Sequence, residues 1–90
     1  MIQKRLIPKY NIHIGVIIKD EIDFRGISQK ELSESSGIST TIINEIIKGK
    51  RNLNAEYALK LEKSLRIDAE YLMRLQVNYD IINELKKVSK

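Results

Sequence analysis

The chain has 90 residues, a formal net charge of +4, 42% hydrophobic residues, one histidine and no cysteine. That length suits a single domain, residues 1–90, with one modest core and no separate catalytic lobe. The missing cysteines exclude disulfides and thiolate zinc sites, and one histidine removes most other metal or acid–base constellations. No catalytic residue, cofactor or metal is therefore expected. No window approaches the length of a membrane span, and no signal-peptide pattern opens the chain, so a cytoplasmic location and no membrane partner are expected. The positive charge permits nucleic-acid binding without establishing it, because it is spread along the chain. Its one dense cluster is Lys48, Lys50 and Arg51.

Pro8 is the only proline and precedes every periodic segment, so residues 1–12 read as an irregular lead-in. Five stretches with helical spacing follow. The first, over about residues 14–24, sets Ile14, Ile17, Ile18 and Ile22 on one stripe and stops at Gly26. Residues 12–18 are β-branched enough to imitate a strand, but the helical spacing continues through Ile22. Asp20, Glu21 and Asp23 diverge around this helix and read as a solvated face rather than a divalent-metal site. His13 reads as a cap or a packing residue.

The second helix opens on Ser28-Gln29-Lys30-Glu31, a capping box in which serine and glutamate each accept the other's backbone N–H. It stops at Gly37. The third takes Ser39 as N-cap, turns Ile43, Ile46 and Ile47 inward and closes at Gly49. Asn54 caps a fourth with Ala58, Leu61 and Leu65 as its buried stripe. Asp68 caps a fifth, over residues 68–88. This last helix carries Leu72, Leu75, Tyr79 and Ile82 on one side, with Met73, Val77, Ile81, Leu85 and Val88 beside them. That arc is wider than one packing face requires. A homodimer is expected from it, with Leu72, Met73, Leu75, Val77, Tyr79 and Ile82 at the seam. The fold class is all-α.

Residues 28–48 meet the demands of a helix-turn-helix, whose two short helices must cross steeply. Leu32 is the apolar anchor of the first helix, and Ser33 is small where the backbones approach. Gly37 supplies positive φ in the turn. Ile38 plugs the corner, while Ile43 and Ile46 hold the second helix. Six correlated positions make a specific pattern. The second helix would then present Thr40, Thr41, Asn44 and Glu45 to base edges in a major groove. Ile42 lies near that face, where it suits either a thymine methyl or a neighbouring loop. Gln29 and Ser39, at helix openings, and Lys48, Lys50 and Arg51 are expected at phosphates. The partner is double-stranded DNA, as a two-fold operator if the protein dimerises.

Ser28-Gln29-Lys30-Glu31-Leu32-Ser33, Gly37-Ile38-Ser39, Ile43-Asn44-Glu45-Ile46 and Gly49-Lys50-Arg51 resemble the phage-repressor (Xre-type) helix-turn-helix. The resemblance extends to the HigA-type antitoxins of bacterial toxin–antitoxin pairs. His13-Ile14-Gly15 matches their His-Pro-Gly, Lys48-Gly49-Lys50-Arg51 their Asn-Gly-Lys-Arg-type loop, and Leu75-Gln76-Val77-Asn78-Tyr79-Asp80 their Leu-Gln-x-Asn-Tyr-Asp. It covers residues 12–85. Ile14 replaces a proline, Ser33 the usual alanine and Lys48 an asparagine. The resemblance implies a five-helix phage-repressor-like DNA-binding domain. It also implies a dimer that represses its own operon and neutralises a cognate toxin, an RNA-cleaving protein of the RelE-like class. A free-standing Xre-type regulator of phage or host genes is the alternative. A protein-interaction module whose helix-turn-helix no longer meets DNA is a further one.

Overall fold

The computed structural model describes residues 10–88. They form α1 (Ile14–Arg25), α2 (Gln29–Ser36), α3 (Thr40–Ile47), α4 (Ala55–Leu65) and α5 (Ala69–Val88), with no strand among the described residues. The five helices lie within a residue or two of their expected bounds. Most of the expected lead-in, residues 1–9, lies outside the described residues, and residues 10–12 are not helical. No helix among the described residues is long and apolar enough to cross a membrane.

Each start is written locally. The His13 imidazole caps α1, its Nδ1 accepting the Gly15 N–H at 2.9 Å. Its ring also packs edge-on against Tyr79 at 4.8 Å between centroids, so both roles expected of it are present. The capping box of α2 is complete, with Ser28 Oγ accepting from Glu31 N at 3.0 Å and Glu31 Oε1 from Ser28 N at 2.9 Å. Ser39 Oγ accepts from Ile42 N, and Asn54 Oδ1 from Tyr57 N. At α5, Asp68 takes the Glu70 N–H, while Glu62 of α4 reaches across to take the Ala69 N–H at 2.7 Å. The first N–H groups of α5 are thus satisfied partly by its own cap and partly by a side chain of α4.

The core is aliphatic. Ile14, Ile18, Ile22, Leu32, Ile38, Ile43, Ile46, Leu53, Ala58, Leu61, Leu65, Ala69 and Leu72 are buried together, each large side chain contributing about 1.5–3 kcal/mol. Helix α4 packs on α5, α1 on α3 and α5, and α2 on α3 and α4. The acidic residues of α1 diverge as expected: Asp23 pairs with Lys19 and Glu21 with Arg25. Arg25 also donates from Nη2 to the Leu65 carbonyl at 2.6 Å, closing the C-terminal end of α4.

Gly15 marks the tightest approach. A Cβ there would fall 2.0 Å from the Ile46 carbonyl oxygen and 2.8 Å from that of Ile47. The N-terminal turn of α1 thus rests directly on the last carbonyls of α3, where its partial positive charge meets their partial negative charge.

Helix α5 is buried only at its start. Ala69, Leu72 and Gln76 are its buried residues, and the second half runs out from the core of a molecule 46 Å long and 21 Å across. Leu72, expected at a dimer seam, is only 1% exposed and belongs to the chain's own core, because the first turns of α5 lie against α4. The exposed apolar side keeps Val77 of the expected seam and Ile81 and Val88 of the expected arc, and adds Tyr71. Met73 and Leu75 are half-buried against the core, and Tyr79 leans on His13.

The C-cap of α4 is Arg66, at φ 62°, the one non-glycine with positive φ among the described residues. Two substitutions should separate space from conformation. Gly15→Ala should cost about 3 kcal/mol, because backbone must move to admit the methyl group. Arg66→Gly should be neutral or stabilise by about 0.5 kcal/mol, since relief of the left-handed strain slightly exceeds the entropy glycine adds to the unfolded chain. Urea unfolding followed by circular dichroism reads both; a Gly15→Ala variant of wild-type stability would show that the approach is not a constraint.

Candidate nucleic-acid interface

The corner between α2 and α3 is built from short-range parts. Gly37 takes φ 81° and its N–H reaches the Ser33 carbonyl, so the chain turns in three residues. Ile38, 2% exposed, fills the angle between the helices. Ser33 Oγ donates to the Ile38 carbonyl, and Ser36 Oγ accepts the Ile38 N–H at 3.1 Å. The hydroxyl at position 33 thus ties the second helix to the far side of the turn, a hydrogen bond that alanine there would not make. Ser35 and Ser64 hydroxyls join α2 to α4.

With Ile43 and Ile46 buried, the opposite side of α3 faces outward. Thr40 and Thr41 are exposed, while Asn44 and Glu45 are half-exposed. These four line one shallow concavity together with Gln29 and Lys50. Six of the nine residues expected at DNA therefore share one surface. Gln29 and Asn44 are also joined, the Asn44 amide donating to Gln29 Oε1 at 3.2 Å. Ser39 is exposed at the opening of α3, its oxygen used as the N-cap acceptor. Lys48 ends the helix, also exposed. Ile42 is half-buried against the core, which favours the packing role of its two expected ones.

One pairing was not legible in the sequence. Arg51 Nε donates to Glu45 Oε1 at 2.8 Å, with both side chains part-exposed. That hydrogen bond, reinforced by the charge of Glu45, raises the Arg51 guanidinium above its ordinary value. Glu45 and Arg51, assigned separately to a base and to a phosphate, form a single unit in the free protein. The carboxylate's charge is thereby offset, while the guanidinium keeps further N–H donors for other acceptors.

The loop after α3 is held from two sides. Lys50 N donates to the Glu45 carbonyl at 2.8 Å. Three residues on, the buried Leu53 N–H donates to Gln76 Oε1 of α5, also at 2.8 Å. Gln76 is 3% exposed, and its amide donates in turn to Asp80. The sequence offers Gln76 only within a resemblance and Asp80 as a contact or flanking residue beside Tyr79; their spacing of four on one helix and the burial of the Gln76 side chain explain why the two are paired. Among the described residues, then, the surface combines hydroxyls, amides and a carboxylate on α3 with a fixed basic loop. That donor and acceptor set can meet base edges and phosphates alike.

A family model for the helix-turn-helix matches residues 18–72. Virulence-associated protein A′ of Dichelobacter nodosus is 36% identical over 70 residues, 77% of this chain, which spans 61% of that relative's length. The chain is similar to a solved addiction module antidote protein of a HigA family from Coxiella burnetii, with a TM-score of 0.83 and 34% identity over 88% of this chain and 87% of the other. It is also similar to the Pseudomonas aeruginosa antitoxin HigA, solved with the higBA promoter: TM-score 0.81, 26% identity, 87% of this chain and 86% of that one.

Proposed function

The chain belongs to the helix-turn-helix family, and from that premise we propose that it is a sequence-specific DNA-binding repressor and the antitoxin of a toxin–antitoxin pair. In this reading it acts in the cytoplasm as a homodimer, represses its own operon and neutralises a RelE-like, mRNA-cleaving toxin. The observation that carries the DNA-binding part is the shared surface of Gln29, Thr40, Thr41, Asn44, Glu45 and Lys50 at the outward side of α3. Likeness over most of the chain to an antitoxin solved with its promoter supports the regulatory part.

On this proposal the N-terminal part of α3 enters the major groove. Thr40 and Thr41 meet base edges or a thymine methyl, Asn44 has the geometry to bond adenine, and Glu45 accepts from cytosine N4. Gln29 and Ser39 hold phosphate oxygens beside helix N-termini, with Lys48, Lys50 and Arg51 along the backbone. The Gln29–Asn44 hydrogen bond then links a phosphate contact to a base contact, fixing the register of one by the other.

Dimerisation answers the exposed side of α5. Val77, Ile81 and Val88 are 50%, 38% and 78% exposed, and none of the described α5 residues after Gln76 is buried. Burial against a second copy removes this stripe from water and sets two recognition helices on one duplex.

Three outcomes test the proposal. In salt titrations on operator and random DNA, Lys48→Ala and Lys50→Ala should weaken binding to both and flatten the salt slope by roughly two units per dimer. Thr40→Ala and Thr41→Ala should keep the slope and lose about 1–3 kcal/mol against the preferred bases only, in half-sites about 10 base pairs apart. The opposite division would mean that α3 is not the reading helix. In light scattering, the 10.4 kDa chain should give twice its mass at micromolar concentration, and Ile81→Asp should give the single mass; a monomeric wild type overturns the dimer. Expression of the adjacent small reading frame should arrest growth and this chain should relieve it. A harmless neighbour would leave a free-standing regulator.

A further inference from the structure

On the DNA-binding reading, cations of the loop after α3 that are already held in place lose less entropy on meeting phosphates than freely moving ones would. The outer part of this loop carries Lys50 and Arg51; its inner end is Leu53, 4% exposed, with a backbone N–H outside any helix. That donor has one acceptor, Gln76 Oε1 at 2.8 Å. A side-chain amide can present either its oxygen or its NH2 in a given direction. Here Asp80, one turn further along α5, accepts from Gln76 Nε2 at 3.0 Å. An ionised carboxylate only accepts, so it draws the NH2 toward itself and turns the oxygen toward Leu53.

We infer that Gln76 is a positioning residue for the phosphate-binding loop, with Asp80 setting the direction of its amide. The inference rests on the DNA-binding reading above. Between the Lys50 N–H, bound to the Glu45 carbonyl, and the Leu53 N–H, bound to Gln76, the loop is fixed at both ends. Arg51 is braced within it by Glu45. The buried polar chain thus connects α5, which meets no base or phosphate in this reading, to the loop cations.

A charge-and-donor swap tests this. Gln76→Glu sets a carboxylate against Asp80 and should detach the loop. Gln76→Glu with Asp80→Asn restores the chain with donor and acceptor exchanged, the introduced carboxylate accepting both from the Leu53 N–H and from the new amide. On operator duplex near 0.15 M salt, the single variant should bind about tenfold more weakly, with a salt slope flatter by roughly two units per dimer. The double variant should return both values to near wild type. A role confined to stability would lower the melting temperature of the single variant and leave the slope unchanged. A folded single variant with wild-type affinity and slope overturns the inference, as does a folded double variant that does not recover them. Should either variant fail to fold, amide hydrogen exchange in the wild-type protein decides: Leu53 should be protected as well as the buried turns of α5, and exchange at the rate of an open loop overturns the link. A wild-type chain that binds no duplex at any salt overturns the DNA-binding reading, whereas wild-type binding with unaltered variants overturns only this inference.

Discussion

Contact between the N-terminal turn of α1 and the C-terminal carbonyls of α3 is the constraint on which the arrangement of the domain depends. Gly15 admits it because no side chain could, and the opposed partial charges of the two helix ends favour it. His13 prepares that end of α1 by capping it, then extends the contact by packing on Tyr79 of α5. One short segment, residues 13–15, therefore fixes the relation of three helices. The end of α3 that it holds is opposite the end that presents Thr40 and Thr41.

From this follows a division along α3. Its C-terminal part is clamped by α1, by the buried Ile43 and Ile46, and by the loop that Gln76 ties to α5. Its N-terminal part rests on the Ser39 cap and on the corner made by Gly37 and Ile38. Rigid support behind and open polar groups in front is the arrangement a reading helix requires, since precision at base edges comes from the scaffold. Ser33 adds to the support by bonding across the turn, so the polar residue at this usually small position strengthens the corner.

What could be read from the sequence was what is decided within four residues. The capping box at Ser28, the caps at Ser39 and Asn54, and the turn at Gly37 depend on near neighbours, and all appear in the structure. Apolar periodicity gave the buried faces of α1 to α4 for the same reason. The side of α5 was harder, because its apolar residues surround the helix and only tertiary packing decides which are covered. Leu72 turned inward and Tyr71 outward for that reason. Links that reach beyond four residues left no local trace, from Glu45–Arg51, six apart, to Leu53–Gln76 and Asn11–Asn83. Arg66 in a left-handed conformation was equally hidden, since the residue type argues against the backbone it adopts.

The exposure of Thr40 and Thr41 has a consequence for how such a domain changes over time. Neither side chain is buried, and neither supplies a cap or a packing contact to the core. Exchanges at these two sites therefore leave the folding energy nearly untouched, while altering the chemical groups offered to a partner. Glu45 and Asn44 lack that freedom, each being joined to another residue of the surface. Descendants of this sequence can consequently acquire new preferences by mutating two adjacent threonines, one at a time, without first gaining stability to tolerate the change.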